Sequence, residues 1–337
     1  MVAPKGFPIL FIASSRIGDA VLASGLIRRL HDDHPDARFT IVAGPLSAPL
    51  FADTPGLERV IVMRKARSGG HWLKLWTQTR GRNWGLVVDR RGSSVGRLLS
   101  TRRRAIHRAV ASDPVHKVIE AARLLNLADD PPDPFLFTRP ETEASAERVL
   151  THGRGPILAL APAANWMGKT WPSERFAQTA VALMTRGQPF ENGQVLILGG
   201  RDDRRAADPI RRALPKERWL DLTGEVDLLT AYACLKRARL FIGNDSGLMH
   251  LAAAAGAPTL GLFGPSDDRI YAPWGRYTRA LRGPRSFAEL KALDPALDQP
   301  VCHMLDLPVE LVVWEARALF EDSRPLFDQM WGQGAAE

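Results

Sequence analysis

Cysteine is almost missing from this chain: Cys234 and Cys302 are the only two among 337 residues. Two thiols make no disulfide framework, and a reducing compartment, the cytoplasm, is expected. Long apolar runs are missing too, since no stretch approaches the roughly 18 residues that a membrane-spanning helix needs. The opening "PILFIA" is too short for a signal-peptide core, and Arg16 and Asp19 break the apolar character just beyond it, so no secretory leader is expected. Three ligand signatures are also missing: a D-x-D metal motif, a Walker A loop and G-x-G-x-x-G. His31 and His34 at a helix end, and the paired acids Asp129-Asp130, Asp202-Asp203 and Asp267-Asp268 in loops, read as solvent-facing.

What is present describes a soluble globular protein, with 45% hydrophobic and 24% charged residues. The length exceeds one ordinary core and predicts two domains. The formal charge of +8 is unevenly placed. Residues 1–150 hold 23 Lys and Arg against 15 Asp and Glu, whereas residues 151–337 hold 22 of each. The densest part, residues 80–108, carries nine arginines and one acid, Asp89. Such a stretch suits a polyanion, and equally suits a solvated basic face.

Short apolar runs at 8–13, 38–43, 58–63 and 85–89 alternate with helical patterns at 19–31, 46–53 and 71–80. Alternation of this kind predicts βαβ units and a parallel sheet. An amphipathic segment, residues 113–127, leads to "ADDPPDPFLFTRPE", whose prolines read as a linker. The second half repeats the pattern, with strands at 156–161, 194–200, 239–245 and 257–264 and helices near 173–186, 203–213, 226–237 and 247–255. The expected architecture is α/β, two Rossmann-like domains (1–150 and 151–337) facing a central cleft. A late helix over 308–323 is expected to pack back on the first domain. Open α/β sheets bind ligands beyond the carboxyl ends of their strands, where the strand order reverses, so function is sought at strand-to-helix turns.

Three turns stand out. In "SSRIGDAVL", Asp19 meets the start of a helix, either as its cap or as a carboxylate presented to a cleft. In "GNDSGLMHLAAAAGAP", the small Ser246 and Gly247 at a helix start offer free amides to a pyrophosphate, and Gly256 is placed to end the helix. The bland reading makes Asp245 that helix's cap. In "APAANWMGKTWPSERFA", Lys169 on a post-strand loop either neutralises a phosphate or is merely solvated.

Six segments in order resemble glycosyltransferase family 9, the ADP-heptose:lipopolysaccharide heptosyltransferases and their relatives. They are "SRIGDAVL", "HPDARFTIVAGPLSAPLFADTPGLERVIVM", "NWGLVVDRRGSS", "PAANWMGKTWPSERF", "GNDSGLMHLAAAAGAPTLGLFGPSD" and "CHMLDLPVELV", and the likeness runs from about Phe7 to Phe320. The resemblance implies a GT-B fold with an N-terminal acceptor domain and a C-terminal nucleotide-sugar domain. It implies an inverting, metal-independent transfer with no cofactor beyond a nucleotide-sugar co-substrate, ADP-heptose. By the same resemblance Asp19 matches the catalytic base. Asn165, Lys169, Asp202, Asp245, Ser246, Gly247 and His250 match the donor site, and Arg16, Arg90, Arg91 and Ser93 fall to the acceptor side. The implied partners are the donor and an anionic glycan or glycolipid acceptor at the inner membrane face, with no nucleic acid. Departures from the family pattern are Ala23-Ser24-Gly25 in place of Thr-x-Pro, Arg201 ahead of Asp202, and Leu248 in place of a proline. A nucleotide-sugar epimerase of the same fold and a non-catalytic nucleotide- or polyanion-binding protein are the competing readings.

Overall fold

A computed structural model describes residues 6–66, 69–108, 114–150, 155–297 and 299–326; the start of the expected segment 113–127 lies outside them. The chain divides into two compact units, Met1–Arg139 and Pro140–Glu337.

The first unit is built on five strands: β1 (Phe7–Ile12), β2 (Ala37–Ala43), β3 (Leu57–Val62), β4 (Trp84–Asp89) and β5 (Thr101–Ile106). Their order is β3-β2-β1-β4-β5, and every pairing is parallel. Ile9, Leu10, Phe11 and Ile12 are all buried, as a central strand covered on both faces requires. From β1 the chain moves outward through β2 and β3, then returns to the other side for β4 and β5. The order therefore reverses between β1 and β4. β5 is an addition to the expected four, and its sequence explains the omission. "TRRRAI" has no apolar run, and Arg102, Arg103 and Arg104 are exposed along the sheet's edge. Charge on an edge strand blocks pairing with another chain. Part of the arginine-rich stretch is thus structural. Arg80 lies over Trp76, Arg82 pairs with Glu58, and Arg104 donates to the carbonyls of Arg97 and Leu99.

The single helix expected over 19–31 is two, Ile17–Leu22 and Gly25–Asp33. At the break the Ser24 hydroxyl donates to the Val21 carbonyl and accepts from the Phe135 amide. A Cβ on Gly25 would stand 2.3 Å from the Asp133 carbonyl oxygen, so only glycine lets that chain pass. The proline-rich join is therefore docked on the first unit, with Leu136 buried and Arg28 over the Phe135 ring.

The second unit has six parallel strands: β6 (Ile157–Ala161), β7 (Gln194–Ile197), β8 (Trp219–Asp221), β9 (Ala238–Asn244), β10 (Thr259–Phe263) and β11 (Thr278–Arg282). Their order is β11-β10-β9-β6-β7-β8, which reverses between β6 and β9. The two additions to the expected four, β8 and β11, are again the edges. The helix Val309–Asp322, expected to pack back on the first domain, buries Val312, Val313, Ala316 and Leu319 in the second unit's own core. At about 1.5–3 kcal/mol for each fully buried aliphatic side chain, that face fixes its position.

The observed boundary precedes the expected one, because the helix Pro140–Leu150 packs on the helix Leu228–Leu235. Ala146 is fully buried there, and Glu143 pairs with Lys236 and Arg237. With this boundary residues 1–139 hold 22 Lys and Arg against 12 Asp and Glu, so the excess of positive charge on the first unit rises. We expect the buried alanine to outweigh the ion pairs. Ala146→Asp should destabilise the second unit by about 3–5 kcal/mol, the range for an uncompensated buried charge. Glu143→Ala should cost about 1 kcal/mol or less, as part-exposed pairs do. Urea unfolding checks the ranking, and comparable midpoints for the two variants would contradict it.

Candidate functional site

In the second unit the reversal between β6 and β9 brings together the loop after β6 and the turn after β9. Asn244, the last residue of β9 and fully buried, ties them. Its Oδ1 accepts from the Trp171 amide at 3.0 Å, and its Nδ2 donates to the Pro162 carbonyl at 2.9 Å. That latch sets Lys169 against Asp245, with Nζ donating to Oδ2 at 2.7 Å. Asp245 is 6% exposed and Lys169 26%, so the carboxylate is sunk while the ammonium keeps a path to solvent. A carboxylate buried this far depends on its cation, and stripping such a pair of one member costs about 3–5 kcal/mol. Two alternatives close here. Asp245 does not cap the next helix, and Lys169 is not merely solvated.

The helix Gly247–Ala254 begins at this point with Ser246 in its N-cap position. Ser246 makes no capping bond, and its buried Oγ has no partner among the described residues. The first-turn amides have no intrahelical acceptors and face the same point, as does the positive end of the helix dipole. His250 lies one turn in and is buried. The close seat of the helix needs Gly261, where a Cβ would stand 2.3 Å from the Met249 sulfur. Gly256, at φ +80°, ends the helix as expected.

The segment 302–307 backs the lysine loop from behind. The His303 amide donates to the Gly168 carbonyl at 3.3 Å, and the Cys302 thiol to the Thr170 carbonyl at 3.2 Å. Trp171 Nε1 donates to the Leu307 carbonyl at 3.0 Å. Asn165 is exposed on the same loop, and Asp202 is exposed beyond β7. Its neighbour Asp203 takes the local structural role, accepting from the Gly200 amide at 2.8 Å.

In the first unit the reversal between β1 and β4 brings together the loop carrying Asp19 and the turn Asp89–Ser93. Asp19 is the third residue of the helix Ile17–Leu22, Arg16 occupies the N-cap position, and no side chain caps this helix. The cap reading therefore does not hold. Asp19 is half-buried and takes no hydrogen bond or ion pair among the described residues. Asp89, fully buried, shapes the facing turn. It accepts from the Arg91 and Ser93 amides, each at 2.8 Å, and from the Ser93 hydroxyl at 2.5 Å. Gly92 makes the turn possible at φ +63°.

The four residues assigned to the acceptor side thus differ in kind. Arg16 is exposed. Arg91 is exposed and lies over the Trp72 ring at 4.6 Å. Ser93 is committed to the Asp89 turn, while Arg90 has Nε and Nη1 buried without partners. Elsewhere in this unit a cavity of about 650 Å³ beside β3 is lined by Arg59, Arg64, His71 and Lys74 together with Met63 and Leu75. Among the described residues no group of three or more His, Cys, Asp or Glu could hold a metal ion.

Sequence reasoning passed over Asn244 and read Asp89 only as part of a motif. The one signal for Asn244 was its place as the last residue of a buried strand. Its partner, the Trp171 amide, lies 73 residues away.

Residues 75–296 match the profile of glycosyltransferase family 9 (heptosyltransferase). Lipopolysaccharide heptosyltransferase 2 of Salmonella typhimurium is 24% identical over 349 aligned residues, covering 93% of this chain and 99% of that protein. The solved structure of the Escherichia coli ADP-heptose lps heptosyltransferase II aligns with a TM-score of 0.74 at 22% identity, covering 94% of this chain and 99% of the other. The E. coli heptosyltransferase WaaC, solved with ADP, aligns with a TM-score of 0.67 at 18% identity, covering 93% and 100%. The fold is the expected one, two parallel α/β units of the GT-B class.

The Asn244 latch carries a prediction of its own. Asn244→Ala orphans the Trp171 amide and the Pro162 carbonyl, at about 1–3 kcal/mol for each buried group left unpaired. Asn165→Ala, on the exposed loop, should stay within about 0.5 kcal/mol of the parent. Chemical denaturation measures both, and a silent Asn244→Ala would mean that the latch holds nothing together.

Proposed function

This chain belongs to glycosyltransferase family 9 and is a glycosyltransferase, and on that premise we propose that it moves a heptose from ADP-heptose to a hydroxyl of a lipopolysaccharide core or related anionic glycan. The observation that carries this reading is the Lys169–Asp245 pair beside the unpartnered Ser246 hydroxyl at the start of the helix Gly247–Ala254. A cation with a path to solvent, a free hydroxyl and unbonded amides form a receptor for a diphosphate. The similar proteins act as heptosyltransferases, and one of them was solved with ADP.

The reaction is a single displacement. The acceptor oxygen bonds to the anomeric carbon as the bond from that carbon to the diphosphate oxygen breaks, and the configuration inverts. Asp19 accepts the hydroxyl proton as attack proceeds, help worth about two to four orders of magnitude. Lys169, the Ser246 hydroxyl and the first-turn amides stabilise the charge gathering on departing ADP. Leaving-group stabilisation in this scheme comes from protein groups and calls on no metal. Asn165, Asp202 and His250 complete the donor side.

The positive first unit, with its cationic cavity beside β3, supports an anionic acceptor. Attraction to an anionic membrane surface is worth about 1 kcal/mol for each well-placed basic residue, and suits work at the inner face of the cytoplasmic membrane. Among the described residues no helix is long and apolar enough to cross a membrane. The epimerase and polyanion-binder readings are not favoured, because the matched family transfers sugars.

The test is Asp19→Asn. Asparagine keeps the shape and loses the proton acceptor. ADP release from ADP-heptose in the presence of acceptor should fall by roughly two to four orders of magnitude. Stability should change by no more than about 0.3–1 kcal/mol, the worth of a carboxylate in the first turn of a helix. Near-normal turnover on the acceptor would rule Asp19 out as the base.

A further inference from the structure

Arg90 differs from every other arginine of the first unit that faces the reversal between β1 and β4. Its Nε and Nη1 are buried, and neither has a hydrogen-bond partner among the described residues. Unmade hydrogen bonds on a buried cation are costly, and native proteins keep them where another conformation or a bound molecule completes them. The backbone fixes where this guanidinium starts. The Arg90 amide donates to the Ile12 carbonyl at 3.0 Å, which ties the residue to the end of β1, directly ahead of the loop that carries Asp19.

Two carboxylates act on Arg90. Burial pulls its guanidinium below the ordinary range, and Glu120, then Asp19, oppose that pull. Glu120, on the helix Lys117–Ala122, is already ion-paired with Lys117. Asp19 is the one left without a bond, and its helix packs on that of Glu120. A cation with two unused donors and a carboxylate with no donor thus stand at the same reversal of the sheet, between β1 and β4.

We propose that Arg90 is a positioning residue for Asp19: with the acceptor seated, its unpartnered Nε–H donates to the Asp19 carboxylate and fixes it toward the hydroxyl to be deprotonated. Asp19 carries its carboxylate on two rotatable bonds and has no other restraint. Arg90 keeps its own proton throughout, and the hydroxyl proton goes to Asp19. An acceptor does not reach these two nitrogens directly, since neither is exposed.

The inference rests on the Asp19 reading above, and the experiment separates the two. It measures kcat, acceptor KM and thermal midpoint for Arg90→Gln, Arg90→Lys, Asp19→Asn and the Asp19→Asn/Arg90→Gln double variant. Arg90→Gln should lower kcat by about ten- to a hundredfold, the scale of a misplaced catalytic group, with the acceptor KM within about twofold. Arg90→Lys keeps the charge without the planar fork and should recover part of the loss. The double variant should be no slower than Asp19→Asn alone by more than about twofold, because the two act as one unit. A raised acceptor KM at unchanged kcat would make Arg90 a ligand of the acceptor, and losses that multiply would make the two residues independent. Either overturns the proposal while leaving the base intact. Near-normal turnover in Asp19→Asn alone overturns both. If Arg90→Gln does not fold, Arg90→Lys decides: a lowered kcat at an unchanged midpoint is expected, and an unchanged kcat overturns the proposal.

Discussion

A carboxylate sunk in protein must keep a cation beside it, and in this chain that cation is Lys169. The pair at 2.7 Å joins a loop after β6 to a turn after β9, across 76 residues of sequence. Much of the second unit serves that contact. Asn244 binds both loops, the segment 302–307 holds the lysine loop by its carbonyls, and Gly261 lets the next helix approach the sheet. The lysine remains partly open while the aspartate does not. On the proposed reading, an arriving diphosphate meets a cation already in place, and binding needs little reorganisation of the site.

The first unit also gathers polar groups where its sheet reverses. There a half-buried carboxylate, Asp19, takes no hydrogen bond or ion pair among the described residues, and Arg90 has Nε and Nη1 buried and unpartnered. Each set lies where its own sheet reverses its strand order, between β1 and β4 or between β6 and β9. The reversal parts neighbouring loops to opposite faces and leaves a crevice at the strand ends. Polar residues placed there can be half-buried without breaking a ladder. That is the physical reason polar side chains can collect at these two points of the fold.

The central strands were legible because burial on both faces demands an apolar run, as "PILFIA" and "RLFIGN" supply. The edges were not. β5 is "TRRRAI", β11 is "TRALR", and β8 is three residues long, and an edge strand needs neither an apolar run nor alternation. The break between Ala23 and Gly25 was hidden because its cause, the Asp133 carbonyl, comes from more than a hundred residues later. In the site, Asp19, Lys169 and Asp245 were legible as polar residues at strand ends. Their partners were not. Nothing local says that Asp245 meets Lys169 instead of capping a helix, or that Asn244 holds the Trp171 amide. Single positions show propensity and pattern, whereas a latch is a relation between two loops that only the folded sheet brings together.

The claim that Lys169 and the turn after β9 receive the donor diphosphate is tested most directly by calorimetric titration of ADP. The comparison is between the parent chain, Lys169→Ala and Arg103→Ala at one ionic strength. Loss of a charge-assisted contact, at about 1.5–3 kcal/mol, should weaken ADP binding by roughly ten- to a hundredfold in Lys169→Ala. The bare Asp245 carboxylate then faces the phosphates and deepens the loss. Arg103, exposed on the β5 edge of the first unit, should leave the affinity unchanged when replaced. Equal losses in the two variants, or an unaltered affinity in Lys169→Ala, would contradict this account of the site.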